Sequence, residues 1–154
     1  MTDRRYRILL VSSSGGVLLD LLALRPWWER HDPVWVAVRA PDTEVALTGQ
    51  RVHWQPELST RTRWRVLPAA WRALRLLRRE RPDVVVSAGT GVAVGVFLAA
   101  RLLGVPSLWL ETFNMTGPAG AAARLCSRLA AAVLVQRPAL LASRPRAVLI
   151  GELY

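Results

Sequence analysis

Two segments of this chain share one pattern: an apolar run, a short turn rich in glycine and serine, and an apolar helix. The first is RILLVSSSGGVLLDLLAL (Arg7–Leu24), and the second is PDVVVSAGTGVAVGVFLAARLLG (Pro82–Gly104). A short, uninterrupted apolar run suits a strand buried on both faces, which is the habit of parallel sheets. A parallel strand requires a crossover before the next one, and the helix supplies it. Two glycine turns leaving such strands would line one wall of a cleft. After VLIGELY (Val148–Tyr154) the sequence shows no second unit of this kind. The expectation is therefore a single domain over residues 1–154, with the opposite wall supplied by another chain.

At 154 residues and 52% hydrophobic content, the chain can bury a real core. The single cysteine, Cys126, cannot form an internal disulfide, which fits a reducing compartment. The apolar run before Ser12 is too short for a signal peptide. The longest uncharged stretch, Val84–Ala100, holds Ser87, Gly89, Thr90 and Gly91 in its middle and reads as strand–loop–helix rather than a membrane span. The net charge is +10, and all 21 basic residues are arginine. That charge favours an anionic partner such as phosphate groups or anionic lipid. No nucleic-acid motif accompanies it, so nucleic acid is not expected.

The remaining elements follow from periodicity. Strands are expected at Arg7–Val11, Val34–Val38, Val52–Trp54, Val84–Ser87, Ser107–Leu110, Ala132–Val135 and Ala147–Ile150. Helices are expected from Leu18, over Thr62–Arg81, over Val92–Leu103 and over Ala121–Ala131. Arg25-Pro26 should interrupt the first helix, and Gly104-Val105-Pro106 should close the third. The alternation predicts an α/β fold: a doubly wound parallel sheet, Rossmann-like, with helices on both faces. Ligands of such sheets bind beyond the carboxyl ends of the strands. Three segments leave the sheet there: Ser12–Gly16, Ala88–Gly91 and the loop that begins at Glu111.

Ser14, Gly15 and Gly16 open a helix, where glycine permits close backbone approach and the first N–H groups attract anions. Gly89, Thr90 and Gly91 form the second turn. Neither matches GxGxxG or a Walker sequence, and a plain tight turn explains each as well. Glu111 directly follows an apolar strand at the functional edge. It suits a general base or a ligand for a sugar hydroxyl, and equally a structural hydrogen-bonding role. His31 and His53 lack matching ligands, so no metal and no cofactor are expected. Trp64, Leu67, Trp71 and Leu74 recur at helical spacing beside Arg72 and Arg75. This stripe packs on the sheet, or it places Trp64, Trp71, Arg72 and Arg75 at a membrane interface.

Several segments together resemble a known family. SSSGG, LRPWWERHDPVWV (Leu24–Val36), LLRRERPDVVVSAGTGVAV (Leu76–Val94), the strand ending in Glu111, LVQRP (Leu134–Pro138) and the terminal GELY are similar to the small accessory subunits of bacterial polysaccharide-biosynthesis glycosyltransferases, the PssD/CpsF type. Those in turn resemble the membrane-anchoring subunit of the eukaryotic two-chain UDP-GlcNAc transferase of dolichol-linked oligosaccharide synthesis. The resemblance implies the N-terminal half of a GT-B glycosyltransferase, in which this half contacts a lipid-linked acceptor and a separate small subunit binds the nucleotide sugar. It implies a polyprenyl-diphosphate-linked acceptor in exopolysaccharide or capsule synthesis, and a cytoplasmic protein peripheral on the inner face of the membrane. Val17 stands where the family carries histidine, and Met115 where it carries arginine, so catalysis is expected only with the partner.

The resulting expectation is an acceptor-binding subunit of a bipartite glycosyltransferase. Ser14–Gly16 and Gly89–Gly91 would form the acceptor wall, Glu111 would contact the reacting sugar, and the Trp/Arg helix would meet an anionic membrane. The rivals are a stand-alone nucleotide-binding Rossmann-like enzyme and a non-enzymatic membrane-surface binding module. Arg39, not an acidic residue, closes the second strand, which weakens a dinucleotide reading.

Overall fold

A computed structural model describes residues 4–57, 64–89, 91–112, 120–144 and 146–152. Seven strands form one sheet: β1 (Arg7–Ser12), β2 (Asp32–Val38), β3 (Val52–Gln55), β4 (Val84–Ser87), β5 (Ser107–Glu111), β6 (Ala132–Val135) and β7 (Ala147–Leu149). Their order is β3-β2-β1-β4-β5-β6-β7, and every neighbouring pair is parallel. The helices are α1 (Gly16–Ala23), α2 (Arg25–Trp28), α3 (Pro41–Ala46), α4 (Val66–Glu80), α5 (Gly91–Leu103) and α6 (Ala121–Leu129). The architecture is the doubly wound, Rossmann-like sheet that the sequence predicts.

The two faces follow from strand alternation. In β1, Leu9 and Val11 point to one side, where they join Ala73 and Leu77 of α4, Phe97 of α5 and Cys126 of α6. Ile8 and Leu10 point to the other, against Leu18 and Leu21 of α1 and Trp28 of α2. Ile8, Leu9, Leu10 and Val11 are all 0% exposed. Each contributes roughly 1.5–3 kcal/mol of burial free energy, so this strand is the centre of the fold. The second face thins toward β7, where Leu108 and Leu134 are half-buried and Val148 and Ile150 are exposed.

Strand β2 begins two residues before the expected start, taking in Pro33. The β2–β3 ladder starts only at Trp35, so the missing N–H of Pro33 costs no sheet hydrogen bond there. Arg7 Nε also reaches Asp32 Oδ2 at 2.6 Å and fixes that strand start. The break at Arg25-Pro26 is real: α1 ends at Ala23 and α2 begins at Arg25. Gly104 ends α5 in the left-handed conformation, φ +69, with Val105 N–H bonded to the Ala100 carbonyl at 2.9 Å.

Helix α4 is shorter than its periodicity suggests, and Thr62 and Arg63 lie outside the described residues. Pro68 sits in the first turn, where its missing N–H has no intrahelical partner to lose. The helix packs on α5 through small residues. A Cβ on Gly95 would come within 3.1 Å of Ala70 N and 3.3 Å of Ala69 Cβ. This close approach turns Ala73, Leu77 and Glu80 inward and leaves Trp64, Leu67 and Trp71 outside, at 67%, 79% and 59% exposure.

Candidate functional site

The strand order reverses between β1 and β4, since β1 leads outward to β2 and β4 leads outward to β5. A crevice opens at the carboxyl ends of strands flanking such a reversal. Both glycine turns lie there, side by side. The Ser87 hydroxyl joins them: it donates to the Val11 carbonyl at 2.9 Å, lies 3.0 Å from the Gly89 carbonyl and accepts the Gly89 N–H at 3.3 Å. Ser87 is 0% exposed, so this link between the end of β1 and the β4 turn is shielded from water.

Ser14, Gly15 and Gly16 are exposed at the start of α1. Gly15 adopts φ +73, ψ −136, a conformation that only glycine takes without strain. Nothing lies within 4 Å of a Cβ built on Gly15 or Gly16, so both face open space. The Gly15 N–H donates to Asp42 Oδ2 of α3 at 2.8 Å. A carboxylate thus already occupies one donor of the turn that sequence reasoning assigned to an anion. Asp42 had no signal of its own, because the contact spans 27 residues, the first crossover and β2. In the second turn Gly89 is buried and Gly91 half-buried; Thr90 lies outside the described residues.

Glu111 ends β5 at the same edge and is 4% exposed. Its two carboxylate oxygens both accept from Arg144 Nε at 2.9 Å. Arg144, from the turn before β7, escaped the sequence reading among so many arginines. The next residue, Thr112, donates its hydroxyl to Asp20 Oδ2 of α1 at 3.0 Å, and both are 3% exposed. The carboxyl edge of β5 is thereby tied to α1 on one side and to the β7 approach on the other. Met115 and the rest of 113–119 lie outside the described residues.

Other candidates resolve as structural parts. His53 Nε2 lies 2.9 Å from Glu80 Oε1, and Glu80 is 1% exposed. Burial pushes the Cys126 thiol up to about 12, and the side chain is part of the core. Among the described residues, no group of three or more His, Cys, Asp or Glu could hold a metal ion. Trp71, Arg72 and Arg75 are exposed on α4, and Trp64 is exposed just before it. No described helix is long and apolar enough to cross a membrane.

A doubly wound parallel sheet whose switch point carries two glycine turns defines a Rossmann-like domain with its cleft at the strand carboxyl ends. The sequence model of Glycosyltransferase Family 4 matches residues 18–136, and the chain belongs to that family. Its fold is that of the N-terminal half of a GT-B glycosyltransferase.

Curated relatives include UDP-N-acetylglucosamine–N-acetylmuramyl-(pentapeptide) pyrophosphoryl-undecaprenol N-acetylglucosamine transferases. That of Geobacillus kaustophilus is 51% identical over 47 residues, covering 30% of this chain and 13% of the relative. That of Nitrosospira multiformis is 38% identical over 88 residues, covering 57% and 24%. Among solved structures, Acinetobacter baumannii MurG superposes with a TM-score of 0.71 at 22% identity over 88% of this chain and 42% of its own. The S. aureus MnaA–UDP structure gives 0.74 at 15% identity, over 96% and 45%. At these identities the structural matches speak for the fold alone. The chain spans less than half the length of these relatives.

Proposed function

We propose that this chain is the acceptor-side half of a glycosyltransferase that moves a sugar from a nucleotide sugar to a lipid-linked diphosphate acceptor. The observation that supports this most is the pair of glycine turns at the switch point, held together by Ser87 and open to solvent on the Gly15–Gly16 side. The first main-chain N–H groups of α1, next to the Gly15 N–H that Asp42 holds, suit a diphosphate. The named activity of the curated relatives, transfer to a pyrophosphoryl-undecaprenol, is of the same chemical class.

In this reading Ser14–Gly16 and Gly89–Gly91 form the acceptor wall. Glu111 stands behind that wall, oriented by Arg144, and stabilises or positions the reacting hydroxyl. The nucleotide sugar is bound by a donor half of similar size on a partner polypeptide. The protein is a cytoplasmic subunit of exopolysaccharide or capsule synthesis, of the PssD/CpsF type. Trp64, Leu67 and Trp71, with Arg72 and Arg75 beside them, form the surface that meets an anionic membrane.

The deciding experiment is a radiolabelled nucleotide-sugar assay with extracted lipid-linked acceptor. It compares this chain alone, the donor half alone and the two together. Transfer only by the pair is expected. Robust turnover by this chain alone would sink the two-part reading and favour a stand-alone nucleotide-binding enzyme.

A further inference from the structure

At the amino-terminal edge of the sheet, opposite the glycine turns, the surface holds an open cavity of about 240 Å3. Its wall is made by the ends of α5 and α6 and the approaches to β5 and β7. Arg101, Arg128 and Arg146 stand in this wall, and none of the lining residues is acidic. The ion pairs among the described residues engage Arg7, Arg25, Arg39, Arg51 and Arg144, and leave these three out.

The local counter-charge is only partial. Arg101 lies in the last turn of α5 and Arg128 in the last turn of α6. Each helix C-terminus carries roughly −0.5 charge, so the two ends offset about one of the three positive charges and leave roughly +2. A phosphoryl group carries about −1.5 to −2 near neutral pH. The charges match in sign and size. Arg146 donates through Nη2 to the Arg128 carbonyl at 2.7 Å, which ties its guanidinium to the end of α6. That bond uses one of its five N–H donors. The planar guanidinium fork suits phosphate oxygens better than a flexible ammonium would.

We propose that this cavity is a binding site for a doubly charged phosphoryl group, separate from the acceptor edge. A soluble phosphate compound and an anionic lipid headgroup share that chemistry. The exposed Trp71 belongs to the first half of α4 and Trp64 comes just before that helix, and neither is among the residues that line this cavity. The soluble source is therefore expected.

The test is a titration of the 15N-labelled chain with inorganic phosphate, followed by NMR, with a parallel co-sedimentation on phosphatidylcholine vesicles with and without phosphatidic acid. Phosphate should shift the signals of Arg101, Gly104, Ser107, Arg128 and Arg146. Affinity should fall roughly tenfold or more in Arg128→Ala and in Arg101→Gln. Both residues are exposed, so thermal melts of the two variants should match the parent. Phosphatidic acid binding that is lost in these variants but kept in Trp71→Ala would assign the same site to a lipid headgroup. No response in either arm, or equal affinity in parent and variants, would overturn the proposal.

Discussion

Glu111 and Arg144 form a lopsided ion pair: the carboxylate side chain is 5% exposed and the guanidinium 29%, with Nε 2.9 Å from each carboxylate oxygen. Burial makes the two halves unequal to remove. Arg144→Ala leaves a buried carboxylate without its cation, which costs about 3–5 kcal/mol. Glu111→Gln leaves a cation that water still reaches, and about 1 kcal/mol is expected. Urea denaturation of the two variants should show Arg144→Ala as much the weaker. In the reconstituted pair, Glu111→Gln should lower kcat more than it raises KM for the acceptor. Full activity in Glu111→Gln would leave the carboxylate a purely structural role.

The turn before α1 gives different predictions at neighbouring positions. A Cβ at Gly16 meets only open space, so Gly16→Val should change stability by no more than about 0.5 kcal/mol. It should still raise the acceptor KM, because the added bulk stands where the diphosphate would approach. Gly15→Ala forces a side chain into φ +73 and should cost about 1 kcal/mol. Asp42→Asn removes the negative charge that the Gly15 N–H now faces. It should lower the acceptor KM severalfold, since the anion no longer meets a carboxylate. Steady-state kinetics with purified lipid-linked acceptor, beside thermal melts, reads all three.

The core of this fold is legible in the sequence because parallel strands are written as unbroken apolar runs. β1 and β4 fall almost where RILLV and VVVS stand, and their turns meet at the switch point as the α/β alternation requires. The site's fixing contacts are less legible. Ser87 reaches Val11 across 76 residues, Thr112 reaches Asp20 across 92, and Arg144 reaches Glu111 across 33. No local pattern announces a bond of that span, and in a chain with 21 arginines the one that matters has no distinguishing neighbour. Helix α4 shows a different limit. Its large apolar residues look like the buried stripe, yet the contact with Gly95 is made through Ala69 and Ala70. Close backbone approach buries the small side chains and turns the tryptophans out.

Cys126 supplies a pH prediction. Its folded-state thiol is raised from 9.0 to about 12 by burial. The unfolded chain therefore loses this proton more readily than the folded one. The stability that comes from keeping the thiol neutral is fully present below pH 9 and is lost as pH rises toward 12. Melting temperatures taken across that window should fall more steeply for the parent than for Cys126→Ala. In the same way, a thiol reagent should label native protein at neutral pH only at the rate of unfolding. Rapid labelling of the folded chain would contradict the buried position.

Trp71 separates the two meanings of the α4 stripe. At 59% exposure it has little packing to lose, so Trp71→Ala should shift stability by no more than about 0.5 kcal/mol. Leu77, at 1% exposure on the opposite face, should cost about 2–5 kcal/mol when cut to alanine. If the stripe meets a membrane, the order reverses in a binding assay. Trp64→Ala and Trp71→Ala should each weaken co-sedimentation with anionic vesicles, as should Arg72→Gln and Arg75→Gln. Each arginine near an anionic surface contributes on the order of 1 kcal/mol, and this part is screened by salt. The arginine variants should therefore lose their difference from the parent at high ionic strength, while the tryptophan variants keep theirs. A Trp71→Ala chain that unfolds would return the stripe to the core. One that folds and binds vesicles as the parent does would leave this face without a membrane role.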